Sequence, residues 1–192
     1  MSVVSIAEAW PVAGRPFTVA DLDRMPDDGR RYELVGGVLV VSPRPTPAHQ
    51  VVAFTLASLL DQACPAGWQV VPEPAVLVGP DTELVPDVVV AQRDQLAQAK
   101  ITKPPALVAE VRSPRTALID LNRKKAAYER FGVGSYWVVV PEPGKPELIV
   151  FELHDGHYRE VAHVRGLERF AAELPFGVEV IPAHLVAGLL PG

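Results

Sequence analysis

Three short runs limit what this chain can fold into: PDVVVA (86–91), PALVAEV (105–111) and SYWVVV (135–140). Each is apolar at consecutive positions, the pattern of a strand buried on both faces. A helical segment from about 116 to 131 separates the last two. They therefore read as parallel strands joined by a right-handed crossover. The predicted class is α/β (α+β), a mixed central β-sheet flanked by helices.

The remaining segments fit around that sheet. FTVADL places a short helix after Thr18 as N-cap, ended by a Pro-Asp-Asp-Gly turn. YELVGGVLVVS (32–42) predicts a hairpin turning at Gly36–Gly37, with Glu33 on the same face as Val35. A helix from about Pro47 to Ala63 carries the stripe Val52, Ala53, Leu56, Leu59 and Leu60. His49 lies on that side one turn earlier; spacing alone favours a capping or boundary residue over one aimed into a site. WQVVPEPAVLV (68–78) predicts one or two strands around a proline corner, and TELVPDVVVA (82–91) a single buried strand. PELIVFELHDGHYREV (146–161) predicts a second hairpin turning at Asp155–Gly156, and short strands with a small terminal helix follow from Leu167. No repeat or linker divides the chain, so residues 1–192 are expected to form one domain, with a loose arm over 1–16 and the core over 17–192.

Composition narrows the classes of function. A chain of 192 residues suits one domain with a proper core. The single cysteine, Cys64, excludes an internal disulfide and fits a reducing compartment. The first residues lack a secretory signal, and the longest apolar run, VVAFTLASLL, is too short to span a bilayer. A cytoplasmic protein without a membrane partner is expected. The net charge of −5 advertises no general nucleic-acid-binding surface. Between Val111 and Phe131, however, six basic residues stand against Asp120 and Glu129, a local excess able to face a phosphate backbone. For Arg123, Lys125 and Arg130 a solvated helix face is the better reading.

The chemistry concentrates between Pro86 and Tyr128. Strand alternation puts Leu107, Ala109 and Val111 on one face, and Val108, Glu110 and Arg112 on the other. Glu110 is an acid inside an apolar strand, costly unless it meets a cation or a donor. Asp87 opens the preceding apolar run; an exposed strand-entry aspartate is its ordinary alternative. On the next helix Ala117, Asp120, Leu121, Lys124, Ala127, Tyr128 and Phe131 share a face, which turns Asp120 and Lys124 inward and Lys125 to water. Asp120 and Lys124 alone would be a simple intrahelical ion pair. Following directly on the strand that buries Glu110, they point to a site. Carboxylates on neighbouring strands suit Mg²⁺ or Mn²⁺, and a lysine beside them supplies a point charge for a phosphoryl oxyanion. No thiolate or multi-histidine cluster argues for zinc, and no phosphate-binding glycine loop is present. Ser113 lacks a recognisable histidine partner.

PD at 86–87 with an acid inside AEVRSP resembles the PD-(D/E)XK nuclease signature. The longer pattern YELVGGVLVVSPRPTPAHQ, VPDVVV, LVAEVRSP and DLNRKKAAYERFGVGSYWVVVP resembles the Uma-two family of restriction-endonuclease-like proteins, in order over roughly Phe17 to Leu153. The resemblance implies a restriction-endonuclease-like core and metal-dependent phosphodiester cleavage. Carried over, Asp87 and Glu110 are the metal ligands and Glu33 a further acid at the metal. Where the superfamily pattern has lysine two residues after the acid, this chain has Arg112. Lys124 then takes the lysine's place, with Arg112 able to share its role but not to act as a base.

Two functions follow as expectations. One is a Mg²⁺- or Mn²⁺-dependent endonuclease acting on nucleic acid, DNA above all, with Asp87, Glu110, Lys124, Glu33, Arg112 and Asp120 at its site. The other is a catalytically inactive module of the same fold that binds nucleic acid or protein. A homodimer is the expected assembly, because double-strand cleavage needs two sites. The apolar, proline-containing tail offers an interface, or else closes the domain's own core.

Overall fold

The computed structural model describes residues 15–112 and 118–189, with the side chains of 118–121 outside that description. Two sheets organise it. The larger has six strands in the order β10-β9-β8-β7-β6-β3: His157–Arg165 (β10), Glu147–His154 (β9), Ser135–Val140 (β8), Leu107–Val111 (β7), Val88–Gln92 (β6) and Trp68–Pro72 (β3). The smaller has the order β2-β1-β5-β4: Val38–Ser42 (β2), Arg31–Val35 (β1), Thr82–Leu84 (β5) and Val76–Gly79 (β4). A short ribbon of β11 (Phe170–Ala172) and β12 (Val178–Val180) completes the strands.

The predicted crossover is present: β7 and β8 pair in parallel, with Glu110 opposite Val138, and the helix α3 (Leu118–Phe131) lies between them in sequence. All other described strand pairs are antiparallel, so the large sheet is mixed. Both hairpins turn where glycine permits it, at Gly36 (φ 56°) and Gly37 (φ 76°), and at Asp155–Gly156.

The large sheet is buried on both sides by different partners. On one face Val88, Val90, Leu107, Ala109 and Val139 pack with Val52, Leu56 and Leu60 of the helix α2 (Pro47–Ala63). The tail belongs here too: Phe176, Val180 and Leu185 join this cluster, so the C-terminal segment closes the chain's own core. On the other face Val89, Val108, Tyr136 and Val138 meet Ala127 and Tyr128 of α3, together with Val35, Val76 and Leu84 of the small sheet. Burial of such side chains supplies about 1.5–3 kcal/mol each.

The α2 boundaries follow from sequence. The Thr46 side chain accepts the His49 amide at 3.3 Å and Pro47 opens the first turn. Pro65 forces Cys64 out of the helical region (ψ 120°), which ends the helix.

One strand expectation is corrected. Thr82–Ala91 is not continuous: β5 ends at Leu84 and β6 begins at Val88, in different sheets. Pro86 has no amide to donate, so the ladder breaks there and the chain passes from one sheet to the other. Asp87 stands at that passage.

Candidate active site

The Val85 peptide at the passage is gripped from both sides by β1. Its amide donates to Glu33 Oε1 at 2.8 Å, and its carbonyl accepts from Arg31 Nη1 at 2.9 Å. Alternation along β1 puts Arg31 and Glu33 on the same face, so one strand supplies both grips.

Arg31 also reaches Asp87, with Nη1 3.0 Å from Oδ1. His49 Nε2 approaches the same oxygen to 3.1 Å, without the alignment of a hydrogen bond. The other carboxylate oxygen, Oδ2, accepts the Val111 amide at 2.7 Å and ties the start of β6 to the end of β7. The Asp87 side chain is 2% exposed. Burial alone would raise its pKa; His49, Arg31 and the Val111 amide outweigh it and hold the carboxyl below its ordinary value.

Glu110 faces α3, as alternation in β7 predicts. Its Oε1 accepts from Lys124 Nζ at 3.2 Å and from the Tyr128 hydroxyl at 2.9 Å. Lys124 Nζ lies 2.8 Å from Glu33 Oε1 as well, so the lysine bridges the two acids. All three side chains are buried. Burial pushes the Glu110 carboxyl up to about 7; Lys124 opposes this, while Asp87 and Glu33 reinforce it. The same burial, with Glu110 and Glu33 nearby, holds the Tyr128 hydroxyl well above its ordinary pKa, so it remains a donor. Burial lowers the Arg31 pKa, but Asp87, Glu33 and Glu110 raise it by more.

Asp87, Glu110, Lys124 and Glu33 are thus linked into one buried network by contacts no longer than 3.2 Å, with Arg31, His49 and Tyr128 as further members. Sequence reasoning missed Arg31 and Tyr128. Each could have been found by phase: Arg31 lies two residues before Glu33 on a strand, and Tyr128 one turn after Lys124. His49 is corrected, since its backbone amide is capped by Thr46 while its ring turns into the site. Lys125 is corrected as well: its ammonium lies 3.4 Å from the centre of the Phe151 ring rather than in open water. Arg112 is half-buried; its amide donates to Val139, and its guanidinium makes no hydrogen bond or ion pair among the described residues. The Asp120 side chain and Ser113 lie outside the described residues.

The donor set fits a hard divalent cation. Asp87 and Glu110 are oxygen donors of the kind that Mg²⁺ or Mn²⁺ takes, since such ions keep several waters and need few protein ligands. Among the described residues no group of three or more acidic, histidine or cysteine side chains is placed to hold a metal ion. Glu33 therefore does not close on one point with Asp87 and Glu110, and the reason is physical: Lys124 stands between Glu33 and Glu110.

The profile of the Uma2 family, whose description is "Putative restriction endonuclease", matches residues 19–184. The chain belongs to the Uma2 family. The fold agrees with a solved structure, the crystal structure of a protein from Anabaena variabilis ATCC 29413 described as a putative nuclease belonging to DUF820. The two superpose with a TM-score of 0.74 at 16% identity, over 91% of this chain and 100% of that one. No curated protein matches the sequence. Membership places the chain in a family described as nuclease-like, and the shared fold agrees with that membership. Among its described residues no helix is long and apolar enough to cross a membrane.

Proposed function

We propose that this Uma2 protein is a Mg²⁺- or Mn²⁺-dependent endonuclease that hydrolyses phosphodiester bonds in DNA, working in the cytoplasm. The observation that carries this reading is the convergence of Lys124 on Glu110 beside Asp87, from α3, from β7 and from the residue that opens the antiparallel neighbour β6.

Asp87 and Glu110 would hold the metal. The metal would activate a water and offset charge growing on the phosphoryl group. Lys124, oriented by Glu33, supplies a fixed positive charge at the acids, placed to stabilise the phosphoryl oxygens as the water oxygen bonds to phosphorus and the sugar oxygen departs. Glu33 Oε1 is committed to Lys124 and the Val85 amide, so Glu33 could offer a metal only its other oxygen. Arg31 and His49 fix the orientation of Asp87. Tyr128 does the same for Glu110. A homodimer would supply two such sites for the two strands of a duplex.

One observation favours a second reading, a binding module without catalysis. Both Asp87 oxygens already have partners within the chain, Arg31 and His49 on one and the Val111 amide on the other. Incubation with plasmid DNA and Mg²⁺ or Mn²⁺ separates the two. The nuclease reading expects nicking or cleavage that disappears in Asp87→Ala and Lys124→Ala. If the wild-type protein neither cleaves any nucleic acid nor binds Mn²⁺ by calorimetry, the binding module takes its place.

A further inference from the structure

Pairing in the small sheet leaves one edge open. Gly36 and Gly37, at φ 56° and 76°, form the two-residue turn that closes β1 and β2 on the bonded pair Val35–Val38. Bonded and non-bonded pairs alternate along an antiparallel ladder, so Val40 and Ser42 also bond to β1, opposite Glu33 and Arg31. The amides and carbonyls of Leu39 and Val41 therefore point away from β1. The order β2-β1-β5-β4 puts no strand beyond them, and no described residue bonds to them from a turn or loop.

The other edges of the two sheets are protected. β10 has a bulge between Glu160 and Ala162 and carries Arg159, Glu160, His163 and Arg165. β4 is covered by the segment at Ile101: the Leu77 amide donates to the Ile101 carbonyl and the Ile101 amide to the Ala75 carbonyl, each at 2.8 Å. β3 ends in Pro72 and borders a groove lined by Asp61 and Glu73. β2 has none of these devices. Its residues, Val38 to Ser42, are uncharged, with no proline and no bulge. Val38 is 47% exposed and the other four are half-buried. Such an edge is a template for another strand.

We propose that β2 pairs antiparallel with β2 of a second copy of this chain, about a two-fold axis at Val40, which joins the two small sheets into one. The inference deepens the homodimer reading by naming its contact, and it does not depend on catalysis.

Backbone chemistry selects both the occupant and the register. With Val40 on the axis, Leu39 exchanges both bonds with the partner's Val41, and Val41 with the partner's Leu39, so every outward group is used. An axis at Leu39 would set Val41 against the partner's Gly37. The Gly37 amide is already given to the Asp81 carbonyl, and its own carbonyl already accepts the Phe17 amide. An axis at Val41 would set Leu39 against the partner's Pro43, which has no amide. Charge agrees with the Val40 register. No charged residue of β2 meets its own counterpart, and the end of β2 that runs into Arg44 meets the end where the partner's Gly37 is held by Asp81. A basic residue thus comes toward an acid. A contact built on a two-fold axis closes on itself, so assembly stops at two copies.

The test is sedimentation velocity of the full chain over a dilution series. Wild type should sediment at twice the monomer's mass at the top of the series. Val41→Pro should sediment as a monomer throughout and keep the circular dichroism of wild type, because the amide it removes bonds nothing within the chain. Disulfide cross-linking reads the register. A non-bonded opposing pair brings its Cα atoms to about 4.5 Å, within reach of a disulfide. In a Cys64→Ser background, Val40→Cys should therefore link two chains on mild oxidation, and Val38→Cys, which faces the partner's Ser42, should not. A wild type that is monomeric at every concentration, a dimer indifferent to Val41→Pro, or cross-linking at 38 equal to that at 40 would each overturn the proposal. Failure of the nuclease reading looks different: a dimer that depends on Val41, with no cleavage under Mg²⁺ or Mn²⁺, leaves the pairing assigned and removes the catalysis.

Discussion

Lys124 Nζ stands 2.8 Å from Glu33 Oε1, an oxygen that also accepts the Val85 amide at 2.8 Å. The lysine is therefore aimed by the same carboxylate that holds the passage between the two sheets. It is also the neighbour of Glu110, so its charge serves two buried acids at once. Removing one member of a buried ion pair costs about 3–5 kcal/mol, because the charge left behind keeps no counter-ion. Lys124→Met should lose stability of that order in urea unfolding at pH 8. At pH 5.5 the loss should be smaller, since Glu110 without Lys124 takes up a proton more readily.

Glu110 gives the protein a defined dependence on pH. Its carboxyl is pushed from 4.5 up to about 7 on folding, chiefly by burial. Between those values the folded state holds a proton that the unfolded state has released. The stability linked to this group is therefore full below about 4.5 and is lost as pH rises through about 7, a change of about 3 kcal/mol in all. Asp87 has the opposite sign, and its contribution is lost only as pH falls below its unfolded value of 3.8, outside that window. Urea unfolding in EDTA from pH 5 to 8 should show wild type weakening as pH rises. In Glu110→Gln the slope should flatten, with stability at pH 8 equal to or above that of wild type.

The two acids should differ sharply when neutralised. Arg31 keeps only 17% of its side chain exposed, and Asp87 at 3.0 Å is its nearest counter-charge, with Glu73 at 3.9 Å. In Asp87→Asn the Val111 amide retains an acceptor, but Arg31 and His49 lose the carboxylate. The expected cost is about 3 kcal/mol, the lower end for a broken buried pair, because Arg31 keeps the Val85 carbonyl. Thermal unfolding of Asp87→Asn beside Glu110→Gln at pH 7 reads the contrast directly.

Periodicity made much of this legible. The apolar runs of 107–111 and 135–140 specify the parallel pair, and helical phase alone distinguishes Lys124 from Lys125. What escaped depends on contacts between distant segments. Arg31 reads as an ordinary basic residue at a strand start until Pro86 breaks the ladder and turns the Val85 carbonyl and Asp87 toward it. His49 reads as a boundary residue because sequence shows which side of α2 it shares, not that the helix begins over Asp87. The tail is ambiguous in sequence for the same reason: only the packed structure shows Phe176 and Leu185 closing the α2 face.

Glu33→Gln separates two roles that the sequence merged. The resemblance makes Glu33 an acid at the metal, whereas the geometry commits Oε1 to Lys124 and the Val85 amide. Glutamine keeps an oxygen acceptor for both donors but loses the charge that steadies the ammonium. If Glu33 acts through the lysine, Mn²⁺ affinity by calorimetry in Glu33→Gln stays close to that of wild type while kcat for DNA cleavage falls. A ligand role would instead lower Mn²⁺ affinity by at least the roughly 10–100-fold typical of losing even a supporting partner of a metal site. Since neutralising Glu33 also removes one of the charges that raise the Glu110 pKa, Glu110 should ionise at lower pH in this variant. The destabilisation of the protein on going from pH 5 to 8 should shrink accordingly. That shrinkage is independent of activity, and it checks that the two carboxylates share one field.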